Sequence, residues 1–98
     1  MLAILVAAQL SATDLRDVRC AYVYEKIIAT KSGEDRDTAK WLQQWFYGRL
    51  SASQPTLNAL DYATAHFKNT PVAEADFEQC SNYYMDWARA QIVGSTTK

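Results

Sequence analysis

The sequence predicts an all-α fold, a single compact domain of about four helices packed mostly antiparallel. Three observations lead there. Beyond Thr13 no stretch alternates apolar and polar residues at period two for long enough to make a strand. Glycine and proline number only three and two, and they sit where helices should stop or start. Apolar residues recur at three- and four-residue steps in four segments, each flanked by capping signals. The length, 98 residues of which 49% are apolar, suffices for one core, because such a chain buries roughly 60–70% of its unfolded surface. It leaves no room for a second.

The first helix is expected over about Asp14 to Thr30. Ser11 and Asp14 have capping-box spacing, and Leu15, Val18, Cys20, Val23, Tyr24, Ile27 and Ile28 follow at helical steps. Gly33 ends this helix by supplying a left-handed conformation. The second is expected over about Asp35 to Leu50, with Ser32 and Asp35 again spaced as a box. Its stripe is Ala39, Leu42, Phe46 and Leu50, with Trp41 and Trp45 beside it. Gly48, inside the last turn, suggests a close helix crossing or a bend. Pro55 suits a first helical position, so the third helix is expected from Pro55 to Lys68 through Leu57, Leu60, Ala63 and Phe67. The fourth starts at Pro71 or, after a brief turn, near Asp76. It carries Phe77, Cys80, Tyr84, Trp87, Ala88 and Ile92 on one face and runs to about Val93. Gly94 closes it, leaving residues 95–98 as a tail. Short connections imply antiparallel neighbours.

The segment Met1 to Ala12, MLAILVAAQLSA, is charge-free and too short to span a bilayer, which takes about 20 apolar residues. It has the length of a secretory leader, with small-residue cleavage sites after Ala8 and after Ala12, but no Lys or Arg precedes its apolar run. An exported protein with a cleaved leader and a domain that packs this segment are both compatible with it. Cys20 and Cys80 form no CxxC pair, and with a single histidine they cannot make a zinc site. A disulfide between the first and last helices fits an exported chain. Two buried thiols in a reducing compartment are the alternative.

Composition and inventory exclude several functions. Ten basic against eleven acidic residues lack the basic excess that phosphate neutralisation needs, so no nucleic-acid partner is expected. His66 has Tyr62, Ala63, Asn69 and Thr70 as helical neighbours, none a nucleophile or a carboxylate, so no catalytic triad forms around it. The carboxylate pairs Asp14 with Asp17 and Glu74 with Glu78 are expected on solvated faces. Phosphate-binding glycine loops, HExxH and calcium loops are absent from the sequence. No enzyme, metal, cofactor or small-molecule substrate is therefore expected. What stands out is twelve aromatic residues in a small bundle. In the adjacent pairs Phe46 and Tyr47, and Tyr83 and Tyr84, the two rings diverge by about 100°, which puts one of each at the boundary. Tyr47 and Tyr83 are thus candidates for binding a protein partner or a second copy, or else edge tyrosines with their hydroxyls in water.

The order DVRCAYVYEKI, WFYGRLSASQP and FEQCSNYYMDWARAQIVG resembles a group of small exported helical two-cysteine proteins of Alphaproteobacteria. The matching positions are Cys20, Tyr47, Gly48, Arg49, Leu50, Pro55, Cys80 and Gly94, within a span from Asp17 to Gly94. In layout that group is distantly similar to HdeA-type periplasmic acid chaperones and to type VI secretion immunity proteins. The resemblance implies a periplasmic or secreted domain tied by one disulfide, and it brings no catalytic residue. The lysine-rich, strongly polar character of the acid chaperones is missing here, so their activity does not transfer. Arg49 stands at a helix end, where it favours the dipole. Its fork could hold a carboxylate such as Asp61 or Asp86, or it could be solvated. The expected function is protein binding, with an acid-stress chaperone or an intracellular adaptor that retains its leader as alternatives.

Overall fold

The computed structural model describes residues 10–96. It contains four helices, α1 (Ala12–Thr30), α2 (Gly33–Ser53), α3 (Ala59–Phe67) and α4 (Glu74–Thr96), and no strand among the described residues. The expected all-α single domain is what forms. Its organising element is α1, which packs against each of the other three helices. Five consecutive residues, Cys20 to Tyr24, are buried. A helix surrounded on every side must be apolar all round, and the run Cys-Ala-Tyr-Val-Tyr supplies that.

The core has two adjoining parts. Ala21, Val23 and Tyr24 of α1 meet Ala39, Leu42 and Phe46 of α2, together with the two cysteines. Val18 and Tyr22 meet Leu50 of α2 and Ala59 and Ala63 of α3. The small Ala59 and Ala63 are the buried side chains of α3. Helix α2 runs antiparallel to α1: Gln43 Nε2 donates to Ala21 O and Glu25 Oε1, whereas Ser53 at the other end reaches Asp14. Helix α4 is fastened to α1 by four different devices. The Cys20–Cys80 disulfide brings the two Cα atoms to 5.6 Å, so the free-thiol alternative falls away. Tyr24 Oη shares a 3.0 Å hydrogen bond with Ser81 Oγ, and Phe77 presents its edge to the Tyr24 ring at 5.7 Å. Arg19 pairs with Asp76 at 3.1 Å.

Several boundaries differ from expectation. Helix α1 begins at Ala12 because the Ser11–Asp14 capping box is complete in both directions. At Ser32 no side-chain cap forms; the chain instead turns through Gly33 at φ 66°, so the left-handed glycine stands at the entry to α2. That helix continues to Ser53, three residues past Leu50, where its last turn contacts Asp14. Gly48 marks no close crossing, for a Cβ there would meet nothing within 4 Å. Pro55 lies in a turn closed by Leu57 N donating to Gln54 O, because its fixed φ serves a turn as well as a helix start. Asn58 caps α3 by accepting from Asp61 N. Helix α4 opens at Glu74, with Asp76 accepting from Ala73 N, and passes through Gly94 to Thr96. A glycine stops a helix by turning left-handed, and among the described residues Gly33 alone has positive φ. The proposed leader falls almost entirely on residues 1–9, outside the described residues. No helix among the described residues is long and apolar enough to cross a membrane.

Candidate functional site

Two side-chain constellations join the helices outside the aliphatic core, and of the candidate site residues Arg49 touches both. The first is polar and links the start of α1 to the end of α2. Asp14 and Asp17, expected on a solvated face, are both buried, because that face of α1 meets the last two turns of α2. Asp14 accepts from Ser53 Oγ at 2.7 Å and from Gln54 Nε2 at 3.0 Å. These donors, with Ser11, hold its carboxyl below the ordinary carboxylate range in spite of burial. Asp17 shows the opposite balance. Arg49 Nε donates to its Oδ2 at 3.0 Å, but its Oδ1 is buried without a hydrogen-bond partner, and burial pushes its pKa up. Arg49 thus holds a carboxylate as its fork allows, but the carboxylate is Asp17. Asp61 receives no side-chain donor among the described hydrogen bonds, and Asp86 pairs with Arg89 one turn on.

The second constellation is aromatic and links the middle of α2 to α4. Tyr84 lies edge-on to both Trp41, at 5.0 Å, and Trp45, at 5.1 Å. Trp45 also meets Trp87 at 5.2 Å and the buried Phe46 at 4.8 Å. Edge-to-face rings at these distances attract beyond their area of contact, so the four rings form one rigid patch anchored on Phe46. Its outer members remain in water: Trp41 is 56% exposed and Trp87 40%. Arg49 bridges the two constellations, its guanidinium lying 4.9 Å over the Trp45 ring.

The tyrosines proposed from sequence stand elsewhere. Tyr47 is half-buried against both parts of the core, and burial, then the nearby Glu25 charge, raises its pKa. Tyr83 is half-buried under the Arg16 guanidinium, 3.0 Å from its ring centre, and its hydroxyl is a buried atom without a partner. Trp41 and Trp87 are the more exposed rings, and Trp87 falls on the same stripe as Phe77 and Cys80. That stripe is covered only as far as the core extends, and α4 outruns it. Trp41 lies 100° round the helix from Leu42, a signal the sequence does contain. His66 lies exposed between Tyr62 and Phe67, and the described residues hold no group of three His, Cys, Asp or Glu suited to a metal ion.

No protein-family model matches the chain, and neither a curated protein nor a solved structure matches it significantly.

Proposed function

We propose that the protein is exported, has no catalytic activity of its own, and acts by binding another protein through the face made by Trp41, Trp45, Tyr84 and Trp87. The observation that carries this reading is the exposure of Trp41 and Trp87 on rings fixed from behind by Trp45, Tyr84 and Phe46. Tryptophan and tyrosine held rigid before association lose little entropy on binding, and such residues dominate interface energetics. The disulfide supports an oxidising compartment, since such bonds persist there and are rare in the cytosol. Of the two cleavage sites the capping box favours the one after Ala8. Processing after Ala12 would remove Ser11, and losing such a cap costs about 1 kcal/mol.

Trp41→Ser/Trp87→Ser tests the reading. In gently extracted native cells the wild-type chain should sediment in a complex well above its own 11.1 kDa, and the double variant, folded by circular dichroism, should sediment alone. Identical profiles would remove the aromatic face from the function. The acid-chaperone alternative differs in a separate measurement, suppressed aggregation of a test protein at about pH 2–3, which a dedicated binder does not give.

A further inference from the structure

We propose that the cleft between the second half of α1, the start of α2 and the loop entering α4 binds an organic anion with an apolar body, a medium-chain or aromatic carboxylate. The cleft encloses about 580 Å³, within the roughly 300–1,000 Å³ of small-molecule sites. Its floor is apolar, from Tyr22, Ile27, Val72 and Phe77. All four are tied into the core, Tyr22 and Phe77 through ring contacts with Phe67 and Tyr24.

The wall is built in advance. Arg19 donates to the carbonyls of Thr70 and Pro71 and to Asp76, and its guanidinium stands 5.0 Å over the Phe67 ring. The loop is therefore clamped to α1 from behind, and a ligand need not order it. Preorganisation of this kind lowers the cost of binding.

Charge selects the ligand. Lys26, Lys31 and Lys68 stand on the rim, and among the described residues none of their ammonium groups makes an ion pair. Lys26 Nζ lies 5.0 Å from the centre of the Tyr22 ring, which places it above the floor. Asp35 and Glu74 also line the cleft, in the first turns of α2 and α4, just as Lys31 and Lys68 stand at the C-caps of α1 and α3, so the helix dipoles favour all four charges alike. Three cations against two anions leave the rim positive. A single carboxylate suits mobile ammonium groups, which act as point charges rather than as a planar fork, and an attached chain or ring covers the floor. A cationic amphiphile would meet three like charges, and a neutral one would gain the floor alone.

The test is titration of the disulfide-bonded, ¹⁵N-labelled protein with decanoate below its micelle concentration, followed by amide shifts. Saturable shifts should centre on Lys31, Thr70, Val72 and Ala73, weaken as salt is raised, and be absent with decyltrimethylammonium. Lys26→Glu/Lys68→Glu should raise the Kd by about tenfold or more through the reversed charges, whereas Lys26→Arg/Lys68→Arg should keep binding. Absence of saturable shifts in the cleft, equal response to the cationic amphiphile, shifts centred on the Trp41 and Trp87 indoles, or salt-independent binding would each overturn the proposal. The salt series uses the wild-type chain alone, so the test stands even if the glutamate variant does not fold.

Discussion

The polar and aromatic ends of this molecule do the same mechanical job by opposite means. At the polar end Ser11, Asp14, Ser53, Gln54, Asp17 and Arg49 join α1 to α2 with directional bonds, and the two carboxylates are buried. At the aromatic end four rings join α2 to α4, and two of them keep about half of their surface in water. Burial of carboxylates is costly unless they are matched by donors, so the polar end has room for little except structure. Exposed rings are costly in a different way, because they give up hydrophobic stabilisation that deeper packing would have supplied. The contrast makes the first a clasp and the second a surface.

Removing the disulfide should break the comparison most strongly. Cys20→Ser/Cys80→Ser opens a loop whose ends are 60 residues apart, worth roughly 4 kcal/mol in the chain-entropy treatment. The loosened element is α4, so the aromatic end should suffer and the clasp between α1 and α2 should persist. All three tryptophans belong to the aromatic end, so tryptophan fluorescence should change at lower denaturant than far-ultraviolet circular dichroism. Coincident transitions would show that the two ends open together.

Arg49→Ala comes next. It strands the Asp17 carboxylate, whose side chain is 3% exposed, and removing one partner of a buried pair costs about 3 kcal/mol at neutral pH. A carboxyl whose folded pKa is raised adds stability below its ordinary pKa, and that contribution is lost as pH rises through the raised value. The deficit of Arg49→Ala in urea unfolding should therefore shrink in mild acid, as Asp17 takes up its proton. Asp14→Ala should cost about 2 kcal/mol at neutral pH through lost charge-assisted hydrogen bonds. Its pKa is lowered, so its contribution is present above the ordinary carboxylate value and lost only as pH falls through the lower folded one. The Asp14→Ala deficit should thus persist in mild acid and shrink only in strong acid.

Helix number, order and the Cys20–Cys80 link were legible in the sequence because each rests on local periodicity or on a simple count. The Ser11–Asp14 box was legible for the same reason, being confined to one turn. Asp14 and Asp17 were misplaced because a carboxylate's burial depends on what the far end of another helix brings to it, here Ser53, Gln54 and Arg49. The partner of Arg49 is 32 residues distant, and spacing along one helix carries no information about it. Pro55 misled because one fixed φ serves two structures, and the cap at Asn58, spaced three residues from Asp61, was the better signal. The exposure of Trp87 is not legible because the stripe on α4 is continuous in sequence, whereas the core that covers it is not.

The smallest effect on stability and the largest on binding should come from Trp41→Ser/Trp87→Ser. Neither ring fills a cavity in the core, and substitutions at half-exposed positions shift stability by about 1 kcal/mol or less. Trp45→Ala is the contrasting change, because Trp45 touches Phe46, Tyr84, Trp87 and Arg49 together. Truncating a large aromatic that packs on the core costs about 3 kcal/mol, and here it would also release Arg49 from one of its contacts. Chemical denaturation of the two variants separates packing from exposure at one patch. If Trp41 and Trp87 proved as costly to remove as Trp45, the aromatic end would be a second clasp, and its exposure would be no argument for a partner. If they are cheap to remove and the native complex is lost with them, the rings are held in water for the partner they meet there.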